Sequence, residues 1–194
     1  MKKPFLFFLL FILAGCVTTL KTQPGVPEIS YSDYESKLDK KTKKLEVYDG
    51  FYNKLTVQAT WLDSDFTLAN LSQQARIAQW DEAKYKEEKA KIVSHHASST
   101  EFFLSFYTPE RKHDNLSSNK SMWKIFLEID GRRFEGKATK VKGQLPEIQS
   151  LYAYHNRWST AYILNFPIST GLSENKKAIL TFTGPIGVAQ LEYN

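Results

Sequence analysis

One cysteine, Cys16, stands in a chain of 194 residues, and that scarcity excludes a disulfide framework and any cysteine-based metal site. A membrane-spanning helix needs about 20 consecutive apolar residues. The longest apolar run here, Phe5 to Leu13, falls well short of it. Glycine (9) and proline (7) are few and follow no period, so collagen-like and low-complexity chains are excluded as well. The common motifs of chemistry are also missing. No glycine-rich turn leads into a helix to cradle a phosphate, and G-x-S-x-G, H-E-x-x-H and the calcium-loop pattern do not occur. Basic residues outnumber acidic ones, 26 to 21, but do not gather into the stripe with interleaved aromatics that nucleic-acid binding requires. The expectation is therefore no cofactor, no metal, no nucleic-acid partner and no enzymatic activity.

What is present is a globular composition, 42% hydrophobic and 24% charged. Chains of roughly 150 residues bury about 70% of their unfolded surface, so a single domain with a sizeable core is affordable. At the N-terminus Lys2 and Lys3 precede the apolar run, with no acidic residue among the first 15. This is the shape of a signal-peptide core. The run ends in Leu13-Ala14-Gly15-Cys16, which resembles the lipobox of bacterial lipoproteins. That resemblance implies lipidation of Cys16 and cleavage before it, giving a palmitate-bearing anchor in the cell envelope. Val17 rather than Asp follows the cysteine, and by resemblance to enteric-type sorting this implies an outer-membrane destination. Cleavage removes two of the 26 basic residues and no acid, leaving 24 against 21, a net of +3.

Beyond the signal (1–15), residues 16–30 hold Pro24, Gly25 and Pro27 among several threonines and form a flexible tether spanning roughly 20 Å. Residues 31–46 make a short helical or irregular lead-in. Its lysines, Lys40, Lys41, Lys43 and Lys44, form a solvated face or, as the alternative, one attracted to anionic lipid headgroups at about 1 kcal/mol each. The globular domain, 47–194, opens with the alternation Leu55, Val57, Ala59, Trp61, the pattern of a half-buried strand. From Ser64 or Asp65 the period changes: Leu68, Leu71, Ala75, Ala78, Tyr85 and Ile92 recur at helical spacing, predicting one long helix or two in series over about 65–93. Six strands follow, over 101–107, 122–129, 132–141, 160–166, 177–183 and 187–193. Asp130-Gly131 predicts a type I′ hairpin in which Leu127 faces Phe134, Ile125 faces Gly136 and Trp123 faces Ala138. Lys124 and Lys137 would then lie opposite each other on the outer face.

Short antiparallel strands of this kind need a second sheet over their apolar faces. The fold class expected is mainly β, an immunoglobulin-like antiparallel β-sandwich with a long helical insertion after the first strand. The mature part is similar to β-sandwich lipoproteins of no assigned activity, a resemblance that implies no chemistry.

His95 and His96 sit in a Ser/Thr-rich stretch that reads as a helix exit, and His113-Asp114 in a polar loop near Ser117 and Ser118. A metal site at the first and a Ser-His-Asp arrangement at the second are weighed against plain loop histidines, and neither has supporting spacing. The most unusual segment is Leu151 to Trp158. Tyr152, Tyr154, His155, Arg157 and Trp158 combine large contact areas with polar handles, as binding hot spots do. In a sandwich the same aromatics could instead alternate into the core. Two function classes follow: a non-catalytic envelope module binding a protein partner or serving in assembly, and, as the alternative, a binder of glycan or peptidoglycan through exposed aromatics.

Overall fold

The computed structural model describes residues 20–194, so Cys16 and the lipobox-like run before it lie outside the described residues. Helix α1 (Tyr31–Lys41) starts where Ser30 Oγ accepts the amide of Asp33 at 3.0 Å, and it buries Tyr34 and Leu38. Strand β1 (Thr42–Asp49) follows without a break and turns at Gly50, φ 58°, into β2 (Tyr52–Trp61). The lead-in therefore ends in a strand where a helical or irregular stretch was expected. Only Leu45 and Val47 of β1 pack against the core, and two apolar positions among lysines are too few to display a period of two.

Two helices in series separate β2 from β3: α2 (Ser64–Ile77) and α3 (Glu82–His96). Both begin on an aspartate. Asp63 accepts from Phe66 N at 2.9 Å and Asp81 from Lys84 N at 2.7 Å, each satisfying one of the orphan amides of a first turn. The helices thus follow the second strand, because β1 precedes the strand read as the first. The rest of the chain runs β3 (Thr100–Tyr107), β4 (Lys124–Ile129), β5 (Arg132–Glu135), β6 (Lys137–Lys140), α4 (Leu145–Gln149), β7 (Thr160–Phe166), α5 (Thr170–Ser173), β8 (Ala178–Gly184) and β9 (Gly187–Tyr193). With five α-helices among the described residues the chain is mixed in class rather than mainly β.

The strands form two antiparallel sheets, a larger one in the order β1-β2-β3-β7-β6 and a smaller one in the order β5-β4-β8-β9. Their inner faces supply one core. Leu55, Val57, Phe102, Leu104, Phe106 and Leu164 from the larger sheet meet Leu127, Leu180 and Phe182 from the smaller, all essentially inaccessible to solvent. Each such side chain contributes about 1.5–3 kcal/mol on burial. Trp61, Phe102 and Tyr193 pack ring to ring between the sheets, and the Tyr193 hydroxyl donates to the Ala59 carbonyl at 2.8 Å.

The Asp130-Gly131 turn has φ of 51° and 73°, as a type I′ turn requires, and Leu127 pairs with Phe134 and Glu128 with Arg133. The pairing runs on to Phe126 opposite Glu135 and ends there. Gly136 N still donates to Ile125 O at 2.8 Å, but the chain then crosses to the larger sheet, where Ala138 pairs with Leu164 and Lys137 with Asn165. Trp123 is not opposite Ala138, and Lys124 pairs with Thr183 rather than facing Lys137. The cause is at Gly136, where a Cβ would lie 2.4 Å from the ring of the fully buried Phe166. Only glycine lets the backbone pass that ring as it changes sheets.

A second apolar layer covers part of the outer face of the larger sheet. Phe103 and Ala161 point outward from β3 and β7 and are buried under Tyr34 and Leu38 of α1, Phe66 and Ala69 of α2, and Tyr152. The remainder of that face, toward the β1–β2 hairpin, is left uncovered by the helices.

Candidate functional site

The outward positions of β2 and β3 alternate with the core residues, as a strand dictates. On β3 they are Phe103, Ser105 and Tyr107, and on β2 Thr60, Gln58 and Thr56, paired across the two strands in that order. Phe103 is capped by Tyr152, whose ring lies parallel to it at 3.6 Å. Past Ser105 the cover stops. What remains is a cleft of about 500 Å³ floored by Thr56, Gln58, Ser105 and Tyr107, with Lys44 and Glu46 of β1 on one side and Tyr154, Asn156, Trp158 and Ser159 on the other.

The segment 151–158 is thus divided between structure and surface. Tyr152 is 6% exposed, and its hydroxyl accepts from Asn70 Nδ2 at 2.9 Å. His155 is buried, with Nδ1 2.9 Å from Ser105 Oγ and its carbonyl accepting from Gln149 Nε2 at 2.7 Å. Both were expected on a contact surface, and both are instead the packing that seats the segment on β3. Tyr154 is intermediate: its ring lines the cleft while its hydroxyl is 2.6 Å from Thr60 Oγ1. Arg157 and Trp158 are exposed, Trp158 at 66%. Asn156 Oδ1 accepts the amide of Trp158 at 2.9 Å, a local turn that holds the indole's backbone in place.

Burial pushes the Tyr152 and Tyr154 phenols well above their ordinary range and the His155 imidazole below its own, so all three are neutral near pH 7. The charges at the rim cancel, since Lys44 Nζ and Glu46 Oε1 are 2.5 Å apart. Asn53, at the end of the floor, donates to Thr56 Oγ1 at 2.9 Å, and its Oδ1 is enclosed without a hydrogen-bond partner. The cleft is therefore a neutral surface of amides and hydroxyls with one large aromatic wall. Sequence reasoning found Tyr154 and Trp158 but not the floor. The polar half of the 55–61 alternation was the available signal, and alternation alone does not separate a binding face from a solvated one.

The Ser105–His155 contact is the nearest approach to a nucleophile and base. Ser105 is 4% exposed, and among the described residues no carboxylate lies within 4 Å of the His155 ring nitrogens. The other histidines do not assemble into sites. His95 and His96 close the last turn of α3, where His95 Nε2 is 2.9 Å from Glu101 Oε1 and 3.0 Å from Asn165 Nδ2. Among the described residues no group of three metal-ligating side chains forms. The carbonyl of His113 accepts from Trp123 Nε1, while Asp114 accepts from Thr160 and Ser117 donates to Asn115, so no Ser-His-Asp relay exists there.

A larger groove, about 630 Å³, runs between α1, α2 and residues 27–29. Of the four lysines lining it, Lys37 lies 2.5 Å from Asp65 and Lys41 pairs with Asp63. It carries no exposed aromatic, and the smaller cleft has the chemistry. Pairing with Asp63 and Glu46 draws Lys41 and Lys44 out of the lysine run that was weighed as a face for lipid headgroups. No helix among the described residues is long and apolar enough to cross a membrane. Comparison with family models, with curated proteins and with solved structures returns no match to this chain.

Proposed function

We propose that the chain is a membrane-anchored cell-envelope lipoprotein whose sandwich is a non-catalytic binding or assembly module, with the open half of the larger sheet's outer face as its contact surface. The observation that carries this is Trp158, a large aromatic held exposed beside a polar cleft on a sheet face whose other half is sealed. Exposed aromatics of this kind concentrate binding energy. The lipobox-like run and the lone cysteine support the anchor, and Val17 after the cysteine supports an outer-membrane destination.

The finer fold reading is an immunoglobulin-like sandwich with α2 and α3 as a helical insertion. Strand order supports it. Taking β2 to β9 as strands A, B, C, C′, D, E, F and G gives an A-B-E-D sheet against a C′-C-F-G sheet, with β1 as an added edge strand. In antibody domains a disulfide joins strands B and F beside a tryptophan of strand C. Here Phe106 of β3 and Phe182 of β8 meet at 6.2 Å, and Trp123, just before β4, packs edge-on against Phe106 at 5.4 Å. An aromatic contact fills that place, which suits a chain with no cysteine pair.

The anchor is tested by labelling cells with palmitate. Wild type should take up label and fractionate with membranes, whereas Cys16→Ser should remain unlabelled and uncleaved. Equal processing and membrane retention of the two would overturn the lipoprotein reading. Of the partners expected from the sequence, protein and glycan, the cleft's chemistry favours the second.

A further inference from the structure

We infer that the cleft between Trp158 and the polar floor of β2 and β3 is an oligosaccharide-binding site, taking a short uncharged glycan with one sugar ring stacked on the Trp158 indole. The inference rests on the sandwich being a binding module and names its ligand class. Four observations converge on it.

Size comes first. About 500 Å³ lies within the range of small-ligand sites and is open along one side, so it admits part of a chain as readily as a free molecule. The aromatic wall is the second. Sugar rings present faces of C–H groups that pack on an indole, and an indole exposed to 66% beside a cleft loses water gladly to such a face. The Asn156 turn fixes the Trp158 backbone in advance, so little loop ordering is required on binding.

Third, the floor matches hydroxyls. Gln58 and Asn156 offer amide donors and acceptors, and Thr56 and Tyr107 offer hydroxyls. A protein segment seated here would bring backbone amides but would be matched by an apolar floor, and this floor is polar. Fourth, charge selects. Among the described residues, the one cation and the one carboxylate lining the cleft, Lys44 and Glu46, pair at 2.5 Å. A polyanionic glycan would find no free cation in it, so the ligand is neutral.

The experiment uses the full-length chain in detergent, titrated by calorimetry with an N-acetylglucosamine tetramer, with maltotetraose, and with heparin as the polyanion. Saturable binding of at least one neutral tetramer is expected, weakened about tenfold or more in Trp158→Ala. Trp158→Phe should recover part of that loss, and Gln58→Ala should weaken binding with an unchanged melting temperature. Absence of saturable binding to both neutral tetramers overturns the inference, as does binding that Trp158→Ala and Gln58→Ala leave intact, or binding of heparin alone. A chain that takes no sugar but saturably binds a protein segment, lost in Trp158→Ala, removes the glycan and keeps the module. A chain that binds neither, yet is lipidated, removes the module as well.

Discussion

The outer face of the larger sheet is built by the same strands throughout, yet its two halves are opposites. One half, at Phe103 and Ala161, lies beneath α1, α2 and Tyr152, and is as dry as the core between the sheets. The other, beyond Ser105 and the His155 ring that covers it, is floored by Thr56, Gln58 and Tyr107 and left open beside Trp158. The change takes place over two outward steps on β3, from Phe103 past the still-covered Ser105 to half-buried Tyr107. An outward phenylalanine must be covered, because leaving it wet forfeits the transfer free energy of a whole ring. Tyr107, Thr56 and Gln58 carry polar groups that water satisfies. The helices cover the half that requires it, and the other half is free for a ligand.

If that contrast is right, substitutions should divide sharply between the halves. The largest effect belongs to Phe103→Ala, which empties the space between β3 and Tyr152 and should cost about 3–5 kcal/mol in denaturant unfolding. A loss below about 1 kcal/mol would mean that the helical layer is only loosely seated. Next comes Tyr152→Phe, which keeps the ring and removes the hydroxyl that accepts from buried Asn70. It should cost about 1–3 kcal/mol by the same measurement; a neutral outcome would show water already reaching Asn70.

Acidification should act on the boundary between the halves. Burial holds the His155 imidazole below its ordinary value near 6.5, and His96 likewise. Above that value the rings are neutral in folded and unfolded chains alike, so this contribution to stability is complete. As the pH falls below it, the unfolded chain takes up protons first and stability is lost. The denaturation midpoint should therefore drop from about pH 7.5 to about pH 5.5, and drop less in His155→Asn. A midpoint that rises on acidification would show these rings gaining a partner when charged, contrary to their burial.

The smallest effect is expected in the open half. Trp158→Ala and Gln58→Ala should each change stability by no more than about 0.5 kcal/mol, since neither side chain supports the core. A cost above about 2 kcal/mol for Trp158→Ala would place it with Tyr152 as a packing residue and erase the distinction between the halves.

Much of the sandwich is legible in the sequence because strand and turn signals are local. The alternation from Leu55 to Trp61, the positive φ demanded at Asp130 and Gly131, and the change of period near Ser64 each depend on a few consecutive side chains. β1 escaped because two apolar residues cannot establish a period, and residues 137–140 were read as strand but as the continuation of β5, because nothing at Gly136 announces that the chain changes sheets there. That switch depends on Phe166, 30 residues away in the sequence and immediate in space.

The candidate site shows the same division. Composition determined that residues 151–158 were rich in groups able to bind. It could not determine that Tyr152 and His155 turn inward while Trp158 turns out. That choice depends on Phe103, Ser105 and Asn70, which reach the segment from β3 and α2. A sequence pattern specifies which face of a strand is apolar, because the alternation is carried by neighbours along the chain. Which part of its second face is sealed is decided by the distant elements that land on it, and only tertiary packing brings those together.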